Sequence, residues 1–198
     1  MNNIIEIFKE NKGYARMLEL KKAHIHTRNI SQAVKEGIIE KIKPGLYKLA
    51  DYSWDEHGSF ADVCSSNKKA IICLLSAVSY YELTTFNPSE IYVAVPNNTD
   101  KFNLKYPPIH VYYFADSYYK PGIDTIKTKS GIIRIYNKEK TIGDLFRYMA
   151  KLGEDVAIES LKEYLKNRKD RDIPKLLEYS DICGVGKKIE PMIKAILS

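Results

Sequence analysis

The hydrophobic positions at the start of the chain repeat every three or four residues, the spacing of an amphipathic helix. Ile4, Ile5 and Phe8 predict a first helix over residues 2–10. A second run with the same period predicts another helix over about 15–23. The chain therefore begins with two short helices, each with one apolar face.

A third helix is predicted to run from Thr27 to about Glu36, with the Thr27 hydroxyl as its N-cap. Ile30, Ala33 and Val34 share one face of this helix, which we expect to point inward. The opposite face is polar and is formed by Arg28, Asn29, Ser31, Gln32 and Lys35. A polar outward face of this composition is what a DNA-reading helix requires.

Two extended runs follow the third helix, within residues 38–49, and Pro44 and Gly45 lie between them. Proline fixes φ and glycine accepts positive φ, so this pair predicts a turn and hence a small hairpin. Three short helices followed by a hairpin are the elements of a winged helix in their usual order. The sequence therefore predicts a winged helix-turn-helix domain over residues 1–50.

The remaining 148 residues predict a second, larger body. Residues 51–68 are polar and weakly periodic and are interpreted as a linker, which leaves 69–198 as a mixed α/β domain. Within that domain the pattern predicts a buried helix over 69–83 and about four strands, at 91–95, 109–114, 124–128 and 132–136. Further helices are predicted from Thr141, which we expect to act as a cap with Asp144, and over 154–167, 172–181 and 186–197. The predicted fold class is α+β, with a winged helix-turn-helix followed by an α/β domain and a helical C-terminus.

Charge is distributed unevenly between these two parts. Residues 1–50 contain ten Lys and Arg against five Glu and no Asp, a net charge of +5. Residues 51–198 contain 21 basic and 20 acidic residues, a net charge of +1. An excess of positive charge confined to one small domain favours a polyanionic partner.

The residue types on the third helix and the hairpin suggest how such a partner is bound. Arg28 can donate two hydrogen bonds to guanine, and Asn29 and Gln32 can pair with adenine. The lysines can neutralise phosphates, which positions a protein on DNA without specifying sequence. The candidate DNA-binding residues are therefore Arg28, Asn29, Ser31, Gln32, Lys35, Lys41, Lys43 and Lys48.

An enzyme, such as a nuclease tethered by the DNA-binding domain, is the main alternative function. The pair Glu19 and Lys21 resembles part of a nuclease site, but no Asp precedes residue 51, and the later carboxylates are scattered. A glycine-rich phosphate loop and a Gly-x-Ser-x-Gly elbow are absent from the sequence. We therefore expect no catalytic residues and no enzymatic activity.

A protein-interaction module that does not bind DNA is the third possibility. Its anchors would be the tyrosines of one run, which are Tyr106, Tyr112, Tyr113, Tyr118 and Tyr119. Three widely spaced cysteines and four histidines show no zinc-ligand spacing, so we expect no metal and no cofactor. The apolar stretches are short and the N-terminus has no signal-peptide pattern, which favours a cytoplasmic protein without a membrane partner.

Four sequence blocks together resemble the AbiEi-type antitoxins. The wing sequence KPGLYKL (43–49) is similar to the Gly-x-Tyr element of their winged helix. AVSYYELT (77–84) followed by IYVAVP (91–96) resembles the first helix and strand of their second domain. NKEKTIGDLFR (137–147), with KLG (151–153) and Ala157 after it, is similar to the family's stretch that begins Glu-Arg-Thr and continues with Asp and Phe.

This resemblance implies an antitoxin of a type IV toxin–antitoxin system. The N-terminal domain would bind operator DNA upstream of its own operon and repress transcription. The second domain would counter a nucleotidyltransferase-like toxin, without necessarily contacting it directly. The sequence departs from the commonest family pattern at Tyr81–Glu82 and at Ile142–Gly143, which lie outside the expected recognition helix and wing.

Overall fold

A computed structural model of the chain describes residues 2–11, 13–50, 57–104 and 106–197. The helices are α1 (Asn2–Glu10), α2 (Met17–Lys22), α3 (Thr27–Lys35), α4 (Gly58–Ser66), α5 (Leu74–Tyr80), α6 (Asp116–Tyr119), α7 (Lys138–Leu152), α8 (Glu154–Lys166), α9 (Ile173–Ile182) and α10 (Gly186–Leu197). The strands are β1 (Tyr14–Arg16), β2 (Ile39–Lys43), β3 (Leu46–Leu49), β4 (Ile71–Ile72), β5 (Ile91–Pro96), β6 (Ile109–Phe114), β7 (Ile123–Thr128) and β8 (Gly131–Tyr136). The chain divides into two compact units, the first comprising Met1–Lys68, Asn103–Pro108 and Ile126–Ile133 and the second comprising Lys69–Phe102, Ile109–Thr125 and Arg134–Ser198.

The first unit contains the winged helix-turn-helix that the sequence predicts. Its three-stranded sheet has the order β1-β3-β2, and both neighbouring pairs are antiparallel. Between β2 and β3, Gly45 has a φ of 79°, a backbone conformation that glycine adopts readily. The buried core residues of this unit are Ile4, Phe8, Ala15, Leu20, Ile25, Ile30, Ala33, Ile39, Tyr47 and Leu49.

Two local details of this unit differ from the prediction. Residues Tyr14–Arg16 form β1, and not the start of α2, because they pair with β3. The N-cap of α3 is His26, so Thr27 is already the first helical residue and its hydroxyl is one position too late to cap the helix. Hydrophobic periodicity could not predict either detail, because one depends on the pairing of β1 with β3 and the other is a shift of one residue at the start of α3.

Helix α4 occupies half of the linker that was predicted over 51–68; residues 51–56 lie outside the described part of the chain. Ala61, Val63 and Cys64 are buried on this helix within the first unit. Asp62 is buried as well, and its Oδ1 accepts a hydrogen bond of 2.6 Å from the Tyr14 hydroxyl. The sequence pattern did not predict this helix, because some of its buried positions are occupied by polar residues such as Asp62 and Ser66.

The larger sheet of the α+β fold has five strands in the order β6-β5-β4-β8-β7. β4 pairs antiparallel with β5, whereas the β5–β6 and β4–β8 pairs are parallel. The four strands predicted from β-branched and aromatic runs are present as β5, β6, β7 and β8. The additional strand, β4, was not predicted.

β4 and α5 lie where the sequence predicted one continuous helix over 69–83. Ile71 and Ile72 pair with β5, and the chain then turns sharply at Leu74, whose φ is 48°. Positive φ is uncommon for a leucine. The sequence has no glycine or proline at this point, so nothing in it marks the break between the strand and the helix. Residues 71–78 of these two segments are buried, and in a buried apolar run a strand and a helix look alike.

Helices pack around the core of the second unit. The long helix α7 begins at Lys138, and the Asn137 side chain caps it by accepting a 2.9 Å hydrogen bond from the Lys140 backbone N–H. The predicted cap at Thr141 was therefore wrong by one helical turn. α8, α9 and α10 agree with the predicted C-terminal helices within about one residue. Each helix in the described residues is too short or too polar to cross a bilayer.

Candidate nucleic-acid interface

Helix α3 presents the five polar side chains that the sequence assigned to its outward face. Ile30 and Ala33 are almost fully buried in the core of the first unit, and Val34 packs against them. The side chains on the opposite face are all exposed, and they are Arg28, Asn29, Ser31, Gln32 and Lys35. Gln32 donates a 2.6 Å hydrogen bond from Nε2 to Glu36, a contact on the exposed surface.

The turn between α2 and α3 is held by a buried side chain and a backbone hydrogen bond. Ile25 is buried within it, and its N–H donates to the Leu20 carbonyl oxygen at 2.9 Å. Lys21 and Lys22 in the last turn of α2 are exposed. The DNA-binding residues predicted from the sequence do not include these two lysines, although the helical period that buries Leu20 places them on the outward side.

The wing presents Lys41 to solvent. The β2–β3 pairing shifts register between Lys41 and Lys43, which is typical of a β-bulge. The first turn of α2 lies beside the wing turn, since the Met17 N–H donates to the Gly45 carbonyl oxygen at 2.8 Å. The wing and the helix-turn-helix are therefore joined by a backbone hydrogen bond.

Lys43 and Lys48, the other two lysines predicted on the wing, contact α4. Lys43 Nζ donates to the Ser66 carbonyl oxygen at the end of α4. Lys48 Nζ lies 3.5 Å from Asp62 Oδ1 and 5.7 Å from the centre of the Tyr14 ring. Both lysines are only partly exposed and already have partners in the first unit.

The electrostatics around α4 reflect its burial. Desolvation raises the pKa of the Asp62 carboxyl, while the Tyr14 hydrogen bond and the nearby Lys48 charge oppose the rise. Burial, and then the positive charge of Arg16, lower the pKa of Lys43. Arg16 Nη2 also donates to the Ser65 carbonyl oxygen at 2.9 Å, so the C-terminal end of α4 accepts from two cations.

The residues considered for catalysis have structural partners. Glu19 of the candidate nuclease pair caps α2, because its Oε2 accepts a 2.7 Å hydrogen bond from the Arg16 N–H. Asp144, expected to cap a helix, is fully buried and its Oδ2 accepts from Lys140 Nζ at 2.5 Å. Within the described ranges, no three His, Cys, Asp or Glu side chains are placed to hold a metal ion.

The tyrosine run does not form one exposed patch. Tyr106 and Tyr113 are exposed, at 72% and 42% of their surface. Tyr112, Tyr118 and Tyr119 are half-buried, and burial raises the pKa of Tyr112 to about 12. The Tyr119 hydroxyl donates to the Lys69 carbonyl oxygen at 2.7 Å.

Comparison with known proteins found one family model that matches the N-terminal segment. Residues 2–50 match the sequence model of the family described as the transcriptional regulator, AbiEi antitoxin. A search of curated proteins gave no match to this chain. The matched range ends where β3 ends, so it contains α3 and the wing but not α4. Over residues 2–50, the chain is therefore similar to the AbiEi antitoxin family of transcriptional regulators.

Proposed function

We propose that this protein is a DNA-binding autorepressor and the antitoxin of a type IV toxin–antitoxin pair. The observation that carries the proposal is the exposed polar face of α3, which lies on the second helix of a helix-turn-helix with a wing beside it. In winged and related helix-turn-helix proteins that helix enters the major groove. The proposal therefore assigns recognition to α3.

The proposed contacts divide into base-reading and phosphate-binding groups. Arg28 suits the two acceptors of guanine, while Asn29 and Gln32 suit the acceptor and donor of adenine. Ser31 can contact a base or a phosphate because its hydroxyl both donates and accepts. Lys35 on α3 supplies positive charge for the DNA backbone.

On the wing, the proposal gives Lys41 the main role. Its side chain is exposed, whereas Lys43 and Lys48 would have to leave their contacts with α4 before binding a phosphate. Breaking the Lys48 contact would leave the buried carboxylate of Asp62 with less compensation, which is unfavourable. Lys43 and Lys48 are therefore proposed to contribute to DNA binding chiefly through the local electrostatic field and the position of α4.

The operator is proposed to lie upstream of the protein's own operon, and the opposed toxin is proposed to be nucleotidyltransferase-like. The family of residues 2–50 supports a regulatory antitoxin role. The larger second unit is the part available for countering the toxin, and the proposal requires no stable complex between the two proteins.

A promoter reporter tests the repressor function in cells. The region upstream of the operon is fused to a reporter, and the full chain is supplied from a separate plasmid. Wild type is expected to repress, and the double variant Arg28→Ala, Lys35→Ala is expected to lose most repression. Lys9→Ala and Lys151→Ala, both at exposed positions outside α3, serve as charge controls. Equal repression by wild type and the α3 variant would contradict the proposal.

A growth assay tests the antitoxin function separately. The neighbouring toxin gene is induced with or without the full chain, and wild type is expected to restore growth. The α3 double variant should also restore growth when expressed from an unrelated promoter, because repression is not then needed. Failure of wild type to protect would reject the antitoxin role while leaving the repressor result unaffected.

A further inference from the structure

A small cavity in the second unit lies next to an arginine with an unsatisfied donor. The cavity has a volume of about 130 Å³, and Asn97, Tyr113, Tyr118, Asp144, Arg147 and Tyr148 are among the residues that line it. Nη1 of Arg147 is buried and has no hydrogen-bond partner in the described part of the chain. A buried guanidinium donor without an acceptor costs free energy that a bound acceptor would recover.

The aromatic neighbours of Arg147 hold its guanidinium by stacking and leave Nη1 available. The guanidinium carbon lies 3.4 Å from the centre of the Tyr118 ring and 5.8 Å from that of Tyr148. A guanidinium that stacks on a ring by its face keeps its N–H groups in the plane, directed sideways. In the described part of the chain Nη1 therefore stays without a partner, although the Arg147 side chain also forms a hydrogen bond with the Tyr148 side chain.

The charges around the cavity leave an excess of one positive charge. Asp144 is the acidic group among the lining residues, and both of its oxygens have donors. Lys140 Nζ lies 2.5 Å from Asp144 Oδ2, and Cys183 Sγ lies 3.3 Å from Asp144 Oδ1. Because Lys140 balances Asp144, the charge of Arg147 is available for an anion.

From these observations we propose that the cavity binds a phosphate group through the guanidinium of Arg147. Arginine matches the paired oxygens of a phosphate, and the Asn97 amide and the tyrosine hydroxyls supply further donors close by. The cavity can hold a phosphate but is smaller than the 300–1,000 Å³ of typical small-molecule pockets, so about one anionic group fits. The phosphate is either free or the terminal group of a nucleotide, whose base would lie outside near the exposed Tyr113. This inference is independent of DNA binding by the first unit.

An NMR titration of the isotope-labelled full chain tests the proposal. Inorganic phosphate and adenosine monophosphate are added separately, with sodium chloride at matched ionic strength as the blank. A saturable shift of the Arg147 side-chain Nε–Hε and the Asn97 side-chain amide is expected with phosphate. Tighter binding of the nucleotide would identify a nucleotide as the source, and equal affinity would identify the phosphate alone.

Two matched variants assign the binding to Arg147. Arg147→Gln is expected to weaken binding about tenfold or more, because a charge-assisted hydrogen bond is lost. Lys151→Gln removes the same charge one turn further along α7, at an exposed position, and should bind like wild type. Shifts of wild type that do not saturate, or that are the same with sodium chloride, would overturn the proposal even if Arg147→Gln fails to fold. An equal loss of binding in Lys151→Gln would overturn it as well.

Discussion

Arg28 and Lys41 are both exposed cations of the first unit, but their positions give them different expected effects on DNA binding. Arg28 is in the first turn of α3, the part of a recognition helix that approaches base edges. Lys41 is on the wing, where contacts are made mainly with the DNA backbone. One residue is therefore expected to read sequence and the other to supply affinity.

Arg28→Ala is expected to weaken operator binding by ~1–3 kcal/mol and to relax the preference at one base position. The reason is the loss of a bidentate contact to guanine, which the wrong base cannot replace. Binding measured against a set of single-base operator variants checks both effects. An unchanged base preference at every position would exclude this role for Arg28.

Lys41→Ala is the matched control, since it also removes one exposed positive charge. It should weaken operator and scrambled DNA together and reduce the salt slope by about one. A change in base preference, with an unaltered salt slope, would show that the wing reads sequence instead.

Asp62 gives the first unit a pH-dependent stability. Because burial raises its pKa, the native state binds this proton more tightly than the unfolded chain does. The contribution of Asp62 therefore becomes less favourable as the pH rises from the ordinary aspartate value of about 3.9 to the raised native value, and is constant above it. Asp62→Asn removes this titration but keeps an oxygen that can accept from Tyr14.

The free energies of unfolding of wild type and Asp62→Asn, measured by urea denaturation across acidic pH, test this expectation. Acidification through that window should stabilise wild type relative to the variant. Other carboxyls titrate in both proteins and cancel in the difference. Two curves that stay parallel at every pH would show that the pKa of Asp62 is not raised by folding.

At the scale of elements, helix α7 contains a fully buried ion pair between two of its own residues, four positions apart. Lys140 and Asp144 are both fully buried, and Lys140 Nζ also lies 4.4 Å from the centre of the Tyr136 ring. Two buried charges are tolerated because each is the counter-ion of the other. Removal of one partner should therefore be more harmful than removal of both.

Lys140→Met is expected to destabilise the protein by about 3–5 kcal/mol, because it leaves a buried carboxylate without its cation. The double variant Lys140→Met, Asp144→Leu should be less destabilised than the single one. Lys151→Met, at an exposed position on the same helix, should stay within about 0.5 kcal/mol of wild type. Urea denaturation provides all three values, and a double variant less stable than Lys140→Met would contradict the argument.

The elements also show what the sequence could and could not predict. The α3 faces, the wing and the strands β5 to β8 follow from local periodicity and turn residues, and the structure contains them. β1 and β4 were missed because three-residue and two-residue strands depend on their partners in the sheet. The partners of Lys43 and Lys48 could not be predicted, since α4 is distant in sequence and its buried Asp62 looks like a surface residue.

At the scale of the whole molecule, the excess of positive charge and the family-model match both fall in the N-terminal segment. Residues 1–50 carry a net charge of +5, and the family match covers residues 2–50. The same segment contains the exposed polar face of α3. Together these three observations support operator binding as the central claim.

Binding of the full chain to labelled DNA, followed by fluorescence anisotropy across a salt series, tests that claim most directly. The DNA is the region upstream of the protein's own operon, and a scrambled duplex of the same length and composition is the control. We predict tighter binding to the upstream DNA, by about 10³-fold or more, and an affinity that falls steeply with salt. Weak and equal binding to both duplexes would contradict it, and would mean that the winged helix binds a partner other than operator DNA.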